Sequence, residues 1–274
     1  MSDSKSSFGA CVTCRARSGG TQEKGNDMIL RTLNQREREP VTLPNALDEF
    51  TINHHAVCLD NRARIRNYAP ADRPAIRRLC CETGFLGRPV DGLFHDRELF
   101  ADLFTSAYLE YEPDWAFVAE VDNRVIGYLL GAVSPHFDLL LMRCGFRATL
   151  KMLFRLASGR YASYPRSKRF VRWLLTAGLR EQPRHPAHAA HLHWDIEKGF
   201  RGRGICYHLW SLYEQRLREA GVKECYGSFF SYRSRRPEMV YSRYGFSVFD
   251  RKRTTLFQPE LTDPVDVVCV SKAL

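Results

Sequence analysis

Gly199-Phe-Arg-Gly-Arg-Gly-Ile-Cys206 stands between a strand-like run, His191–Ile196, and a long amphipathic helical pattern over residues 204–219. Glycines at 199, 202 and 204 let the backbone bend sharply and approach a ligand closely. The first N–H groups of the following helix have no intrahelical acceptor, and the helix dipole adds positive potential at the same place. A glycine-rich turn there is a seat for phosphate. It lacks the Gly-Lys-Ser/Thr ending of nucleotide-binding loops and is not a clean GxGxxG run. The competing reading is an ordinary tight turn, and the rest of the chain must decide.

Downstream of the turn, Ile205, Leu209, Leu212, Tyr213 and Leu217 share one helical face, and Gly221 ends the pattern. Lys223–Ser231 reads as a strand, and Pro237–Tyr244 as a short helix stopped by Gly245. Phe246–Phe249 and Thr254–Phe257 suggest a terminal hairpin, and Val265–Val270 one more strand. Upstream, Arg64–Tyr68 alternates like a strand, and Pro70 and Asp72 open a helix with Ile76, Leu79 and Cys80 on one face. A second helix is expected over Arg97–Glu110. Trp115–Val121 and Arg124–Val133 are strands joined by Asp122-Asn123, a two-residue hairpin turn. Helices are expected near 143–158 and 167–179. Phe146, Leu150, Leu153 and Phe154 form the packing stripe of the first, and Phe170, Val171, Leu174 and Leu175 that of the second. Alternating strands and helices predict an α/β fold, a mixed sheet flanked by helices.

The 274 residues are 44% apolar, enough for a packed core, and carry a net charge of +10. From Arg143 to Arg184 Glu181 is the only acidic residue, so the segment is either a solvated basic face or a site for an anionic partner. Residues 1–40 are polar and aperiodic and read as a disordered arm, and 41–62 as an extension of uncertain role. Met28 could begin a shorter chain. Cys11 and Cys14 make half of a zinc site with no second pair nearby, so no metal is expected. The nine cysteines, scattered in apolar surroundings, suit reduced buried thiols. With no signal-like start and no span-length apolar run, the expectation is a cytoplasmic or otherwise intracellular protein, not secreted and with no membrane partner.

The chain over about 63–260 resembles the GCN5-related N-acetyltransferases (GNAT). The family fingerprint Arg/Gln-x-x-Gly-x-Gly/Ala is met by Arg201-Gly-Arg-Gly204-Ile-Cys206, with Cys in the last small-residue position. Trp115–Val133 looks like its strand 2–strand 3 hairpin, and Tyr241-Ser-Arg-Tyr-Gly245-Phe246 like its Tyr-x-x-x-Gly-Phe ending. Ser234 stands where many members carry asparagine. The run His191-Leu-His-Trp-Asp195 resembles the subset related to the acetyltransferase-like domain of O-GlcNAc hydrolases. The resemblance implies a mostly antiparallel mixed sheet splayed between strands 4 and 5. It also implies one domain over 63–274, with a helical insertion at 135–185 between strands 3 and 4.

It further implies acetyl-CoA as cosubstrate and direct acetyl transfer to an amine in a ternary complex. Ile196, Arg201, Gly202, Arg203, Gly204, Ile205 and Cys206 would hold the cofactor: the amides of 202–206 around the pyrophosphate, an amide near Ile196 on the thioester carbonyl. A free alkylammonium titrates near ~10.4, so attack needs a base. Asp195, Glu197 and His193 are the candidates, with His191 of the same parity as an alternative; structural or surface roles compete for each. Tyr241 would protonate the departing thiolate, against a purely packing role. Cys206 is better read as packing than as nucleophile, although its place at a helix start could lower its pKa. Glu110, Tyr111 and Glu112 are expected to border an acceptor groove for an unidentified amine, small molecule or protein. A homodimer is compatible with this reading. The alternatives are a non-catalytic acyl-CoA-binding module and, less well supported, a nucleic-acid-binding module.

Overall fold

Seven strands form one sheet in the order β1-β2-β3-β4-β5-β7-β6. They are β1 (Arg64–Asn67), β2 (Ala116–Val121), β3 (Arg124–Ala132), β4 (Ala190–Ile196), β5 (Glu224–Ser231), β6 (Ser247–Thr254) and β7 (Val265–Ala273). Every neighbouring pair is antiparallel except β4–β5, which is parallel. The computed structural model describes residues 63–274, which fall within one compact unit. The arm 1–40 with Cys11, Cys14 and Met28, and the extension 41–62, lie outside the described residues. Among the described residues no helix is long and apolar enough to cross a membrane.

Asp122 and Asn123 both adopt positive φ, the backbone a tight two-residue β2–β3 turn requires. Among the described residues six α-helices flank the sheet: α1 (Arg73–Thr83), α2 (Arg97–Tyr111), α3 (Phe137–Ala157), α4 (Pro165–Thr176), α5 (Ile205–Glu219) and the short α6 (Glu238–Tyr241). Ile76, Leu79, Leu99, Phe100 and Tyr108 of α1 and α2 pack with Val118, Tyr128 and Leu130 on one face of the sheet. Ile205, Leu209, Trp210, Tyr213 and Leu217 of α5 pack with Phe117, Leu129, Leu192 and Val268 on the other. Strand alternation therefore divides β4: Ala190, Leu192 and Ile196 face α5, and His191, His193 and Asp195 face α1 and α2.

The helical insertion lies between β3 and β4, as the resemblance implies, but two local expectations fail. The first helix begins at Phe137, and its packing stripe is not Phe146–Leu150–Phe154. Those side chains are exposed, Phe146 by 65% and Phe154 by 74%, while Cys144, Ala148 and Met152 are buried. Arg147, Lys151 and Arg155 bind Glu110, Asp102 and Asp96 of the α2 region, and these ion pairs turn the small-residue face of α3 inward. The expected hairpin of 246–249 with 254–257 is instead one strand, β6, paired along β7. The charged residues Asp250–Arg253 stay within it on an edge strand, where Asp250 meets Arg184, Arg251 meets Glu238 and Asp266, and Arg253 meets Asp266.

Candidate active site

The site starts where β4 and β5 part. Their ladder consists of Ala190↔Cys225, His191↔Tyr226 and Leu192↔Gly227 and then stops, although both strands continue. The register fixes what faces the gap. Glu197 N donates to Ile126 O across β3, so odd residues of β4 bond β3 and even ones turn toward β5. The N–H groups of Trp194 and Ile196 therefore point into the opening. On the other bank, Leu192 bonds the two residues flanking its partner Gly227, so the even residues of β5 face β4, and the Phe230 carbonyl faces the gap.

Below the fork, Gly202 and Gly204 both have φ near +80°, and Gly204 is the N-cap of α5. Tyr207 and His208 donate to Gly204 O. The amides of Gly202, Gly204, Ile205 and Cys206 donate to no group among the described residues. Four unsatisfied donors on a turn at a helix start are a fit for a pyrophosphate. The Arg203 guanidinium lies over the Phe200 ring. Arg201 is part of the turn by its backbone, but its side chain leaves it: Nε donates to Ile196 O (2.9 Å) and Nη1 to Gly87 O (3.3 Å).

Tyr241 fills the fork on the α5 side. Its ring stacks on Trp194 of β4 and Phe229 of β5, with centroids 4.8 and 4.7 Å away. These are the residues one step past the last two-residue repeat of the ladder. Burial pushes the Tyr241 phenol well above its ordinary value, helped by Cys206 and Asp195, so it stays protonated and can donate. Cys206 is pushed up to about 11 by burial, which overturns the expectation that the helix start lowers it; the group is a thiol packed on the core.

On the opposite face, Tyr128 lies across from Asp195 in the β3–β4 register and donates to Asp195 Oδ2 (2.8 Å). His193 Nε2 is 3.2 Å from the same hydroxyl and 3.5 Å from Asp195 Oδ2. His193, Asp195 and Tyr128 thus form one hydrogen-bonded group. Tyr128 was not visible as a site residue from sequence, because only the strand register brings it to Asp195. His191 points the same way but meets Tyr108 (2.6 Å) and the Tyr226 ring; burial pushes it down to about 3, so it is neutral. Glu197 follows the strand end and is ion-paired with Arg124 and with Arg78.

The three expected acceptor residues lie at the end of α2 away from Asp195. Asp195 sits near Cys80 in the last turns of α1, where α1 meets the start of α2. Glu110, Tyr111 and Glu112 close the other end of α2. Glu110 is held by Arg73 and Arg147, and the buried Glu112 accepts from Ser134 N. Toward Asp195 lies the turn Tyr232–Arg235, and at the end of β5 the Phe230 ring meets Phe257, which also stacks on Phe85.

No family model matches the sequence. Similar solved structures include SsHAT, at 22% identity over 77% of this chain and 98% of that one, with a TM-score of 0.49. A polyamine N-acetyltransferase from Drosophila melanogaster is 13% identical over 77% of this chain and 100% of its own, with a TM-score of 0.49. A GCN5-related N-acetyltransferase from Kribbella flavida is 15% identical over 78% and 98%, with a TM-score of 0.47.

Proposed function

We propose that this protein transfers an acetyl group from acetyl-CoA to an amine, by direct attack in a ternary complex. The observation that carries the reading is the fork: a parallel ladder that stops, two strand amides aimed into the opening, and four unsatisfied amides at the start of α5. A tight turn with a purely structural role has no use for that alignment. Residues 63–274 act as the whole catalytic domain, with α3 and α4 as its insertion. The run His191-Leu-His-Trp-Asp195 supports kinship with the O-GlcNAc hydrolase-associated subset.

Acetyl-CoA supplies an acetyl group activated as a thioester. The amides of Gly202, Gly204, Ile205 and Cys206 hold the pyrophosphate, with Arg203 beside them. The Ile196 and Trp194 N–H groups offer hydrogen bonds to a carbonyl oxygen in the fork. The His193–Asp195 pair takes the proton from the incoming ammonium. The amine nitrogen bonds to the acetyl carbon, the carbon–sulfur bond breaks as Tyr241 gives its proton to the sulfur, and the second proton of the nitrogen leaves to solvent, from which Tyr241 regains its own. Glu197, clamped by two arginines, is assigned to holding the strand end rather than to proton transfer.

The test is calorimetric titration with acetyl-CoA combined with transfer assays on a panel of primary amines. Tyr241→Phe should bind acetyl-CoA within about twofold of wild type and turn over on the order of 100-fold more slowly. Absence of acetyl-CoA binding by the wild type would remove the reading. Binding without transfer to any amine would convert it to a non-catalytic acyl-CoA-binding module.

A further inference from the structure

Two arginines close the open end of the fork, and their placement speaks to the acceptor. The Arg235 Nη1 lies 3.5 Å from the Phe230 carbonyl, which faces the gap from β5. Arg201 Nε binds the Ile196 carbonyl, which faces the gap from β4. Each bank of the opening thus holds a guanidinium on a main-chain oxygen. A turn sets Arg235: Tyr232 N donates to Arg235 O and Arg235 N to Tyr232 O, at 3.0 and 2.9 Å, which folds the residue back over the end of β5.

Neither guanidinium has a carboxylate within ion-pair distance among the described residues. That sets them apart from Arg66, Arg97, Arg147 and Arg155, each of which binds one or two carboxylates. Two cations with no carboxylate in direct contact, one of them half-buried and only partly offset by Asp195, carry an electrostatic cost that an anion would relieve. Burial lowers the pKa of Arg235, Asp195 raises it and Arg201 lowers it further, so these groups sense one another in one small space.

The cofactor's pyrophosphate does not account for the pair. Its seat is the amide turn at the start of α5, whereas the Arg201 side chain turns to Gly87, in the connection from α1 to α2. Phe85, two residues before Gly87, stacks on Phe257, which meets the Phe230 ring at the end of β5.

We propose that Arg201 and Arg235 form an acceptor subsite for a carboxylate or phosphate group, so that the substrate is an amine that also carries an anion. The proposal rests on the acetyl-transfer reading. The paired guanidiniums offer planar, bidentate donors suited to either group. They would hold the anion at the mouth while the amine reaches the His193–Asp195 pair and the fork.

The experiment compares matched primary amines that differ in one group: a carboxylate, its carboxamide, and the corresponding phosphonate. Wild type, Arg235→Gln and Arg235→Lys are assayed with acetyl-CoA, and acetyl-CoA affinity is measured separately by calorimetry. The expected result is a preference of tenfold or more in kcat/KM for the carboxylate or the phosphonate over the carboxamide. Whichever acid is preferred identifies the anion. Arg235→Gln should erase that preference through KM, leave kcat with the carboxamide unchanged, and keep acetyl-CoA affinity within about twofold; Arg235→Lys should restore part of the preference. Equal kcat/KM for acid and amide in the wild type would overturn the proposal while leaving acetyl transfer intact. So would an Arg235→Gln variant that loses acetyl-CoA affinity but keeps its acceptor preference, since the pair would then serve the cofactor's phosphates. A wild type that binds no acetyl-CoA would defeat the transfer reading, and this proposal with it.

Discussion

His193 and Asp195 leave β4 two residues apart on one face, and Tyr128 hydrogen-bonds to both. In the proposed reaction this group would hold the imidazole in place as it takes the acceptor's proton. His193→Gln should therefore lower kcat/KM at pH 7 on the order of 100-fold. The deficit should shrink as pH rises toward the amine's own value near ~10.4, because a growing fraction of the acceptor then arrives unprotonated. A pH–rate profile of the variant checks this; a deficit that stays constant up to pH 10 would mean that His193 positions rather than deprotonates. Tyr241 gives the complementary expectation. Its phenol is held well above the ordinary range by burial, so wild-type turnover should keep its acid past about pH 10, where an exposed tyrosine would ionise.

At the scale of elements, α3 shows how a periodic pattern can be read correctly as a helix and incorrectly as a face. Its larger apolar residues lie outward, and ion pairs to Asp96, Asp102 and Glu110 decide which side packs. Met152→Ala should cost about 2–5 kcal/mol, whereas Phe146→Ser should change stability by less than about 0.5 kcal/mol. Urea denaturation of the two variants measures it; equal losses would place Phe146 in the core. The glycine turn, the β2–β3 hairpin and the Tyr241–Phe246 ending were legible because each is local: turn chemistry and helix-start donors lie within a few residues. Tyr128, Arg235, Phe85 and Phe257 were not, because each joins the site through strand register or through a loop packed from far along the chain. The ion pairs of Glu110 were not legible for the same reason. Its charge is plain in the sequence, but the arginines that neutralise it come from α1 and α3.

Across the whole molecule, acid should unfold this protein in two stages. Burial alone would raise Asp72, Asp96 and Asp266; hydrogen bonds from Arg66, from Arg155 and Tyr161, and from Arg253 and Arg251 outweigh it and hold all three below the ordinary carboxylate range. Groups depressed in this way stabilise the fold fully above their unfolded value near ~3.9, and that contribution is lost as pH falls through the lower folded values. The histidines act earlier. Burial holds His191 near about 3, so it stays neutral in the fold, and burial also lowers His208, while the unfolded chain takes up protons below about 6.5. The unfolded state then binds more protons, and stability falls with pH from that point. Glu112, raised by burial, works in the opposite direction as it becomes protonated. Stability should thus decline gently from about pH 6.5 and steeply below about pH 4. His191→Gln keeps an acceptor for the Tyr108 hydroxyl and removes the titrating group. Urea melts at pH 7.5, 5.5 and 4.5 should show the decline flattened in this variant over the whole of that range, because the unfolded chain no longer takes up a proton that the fold refuses. An unaltered slope between pH 7.5 and 5.5 would mean that His191 is protonated within the fold, and that its packing between Tyr108 and Tyr226 does not exclude the charge.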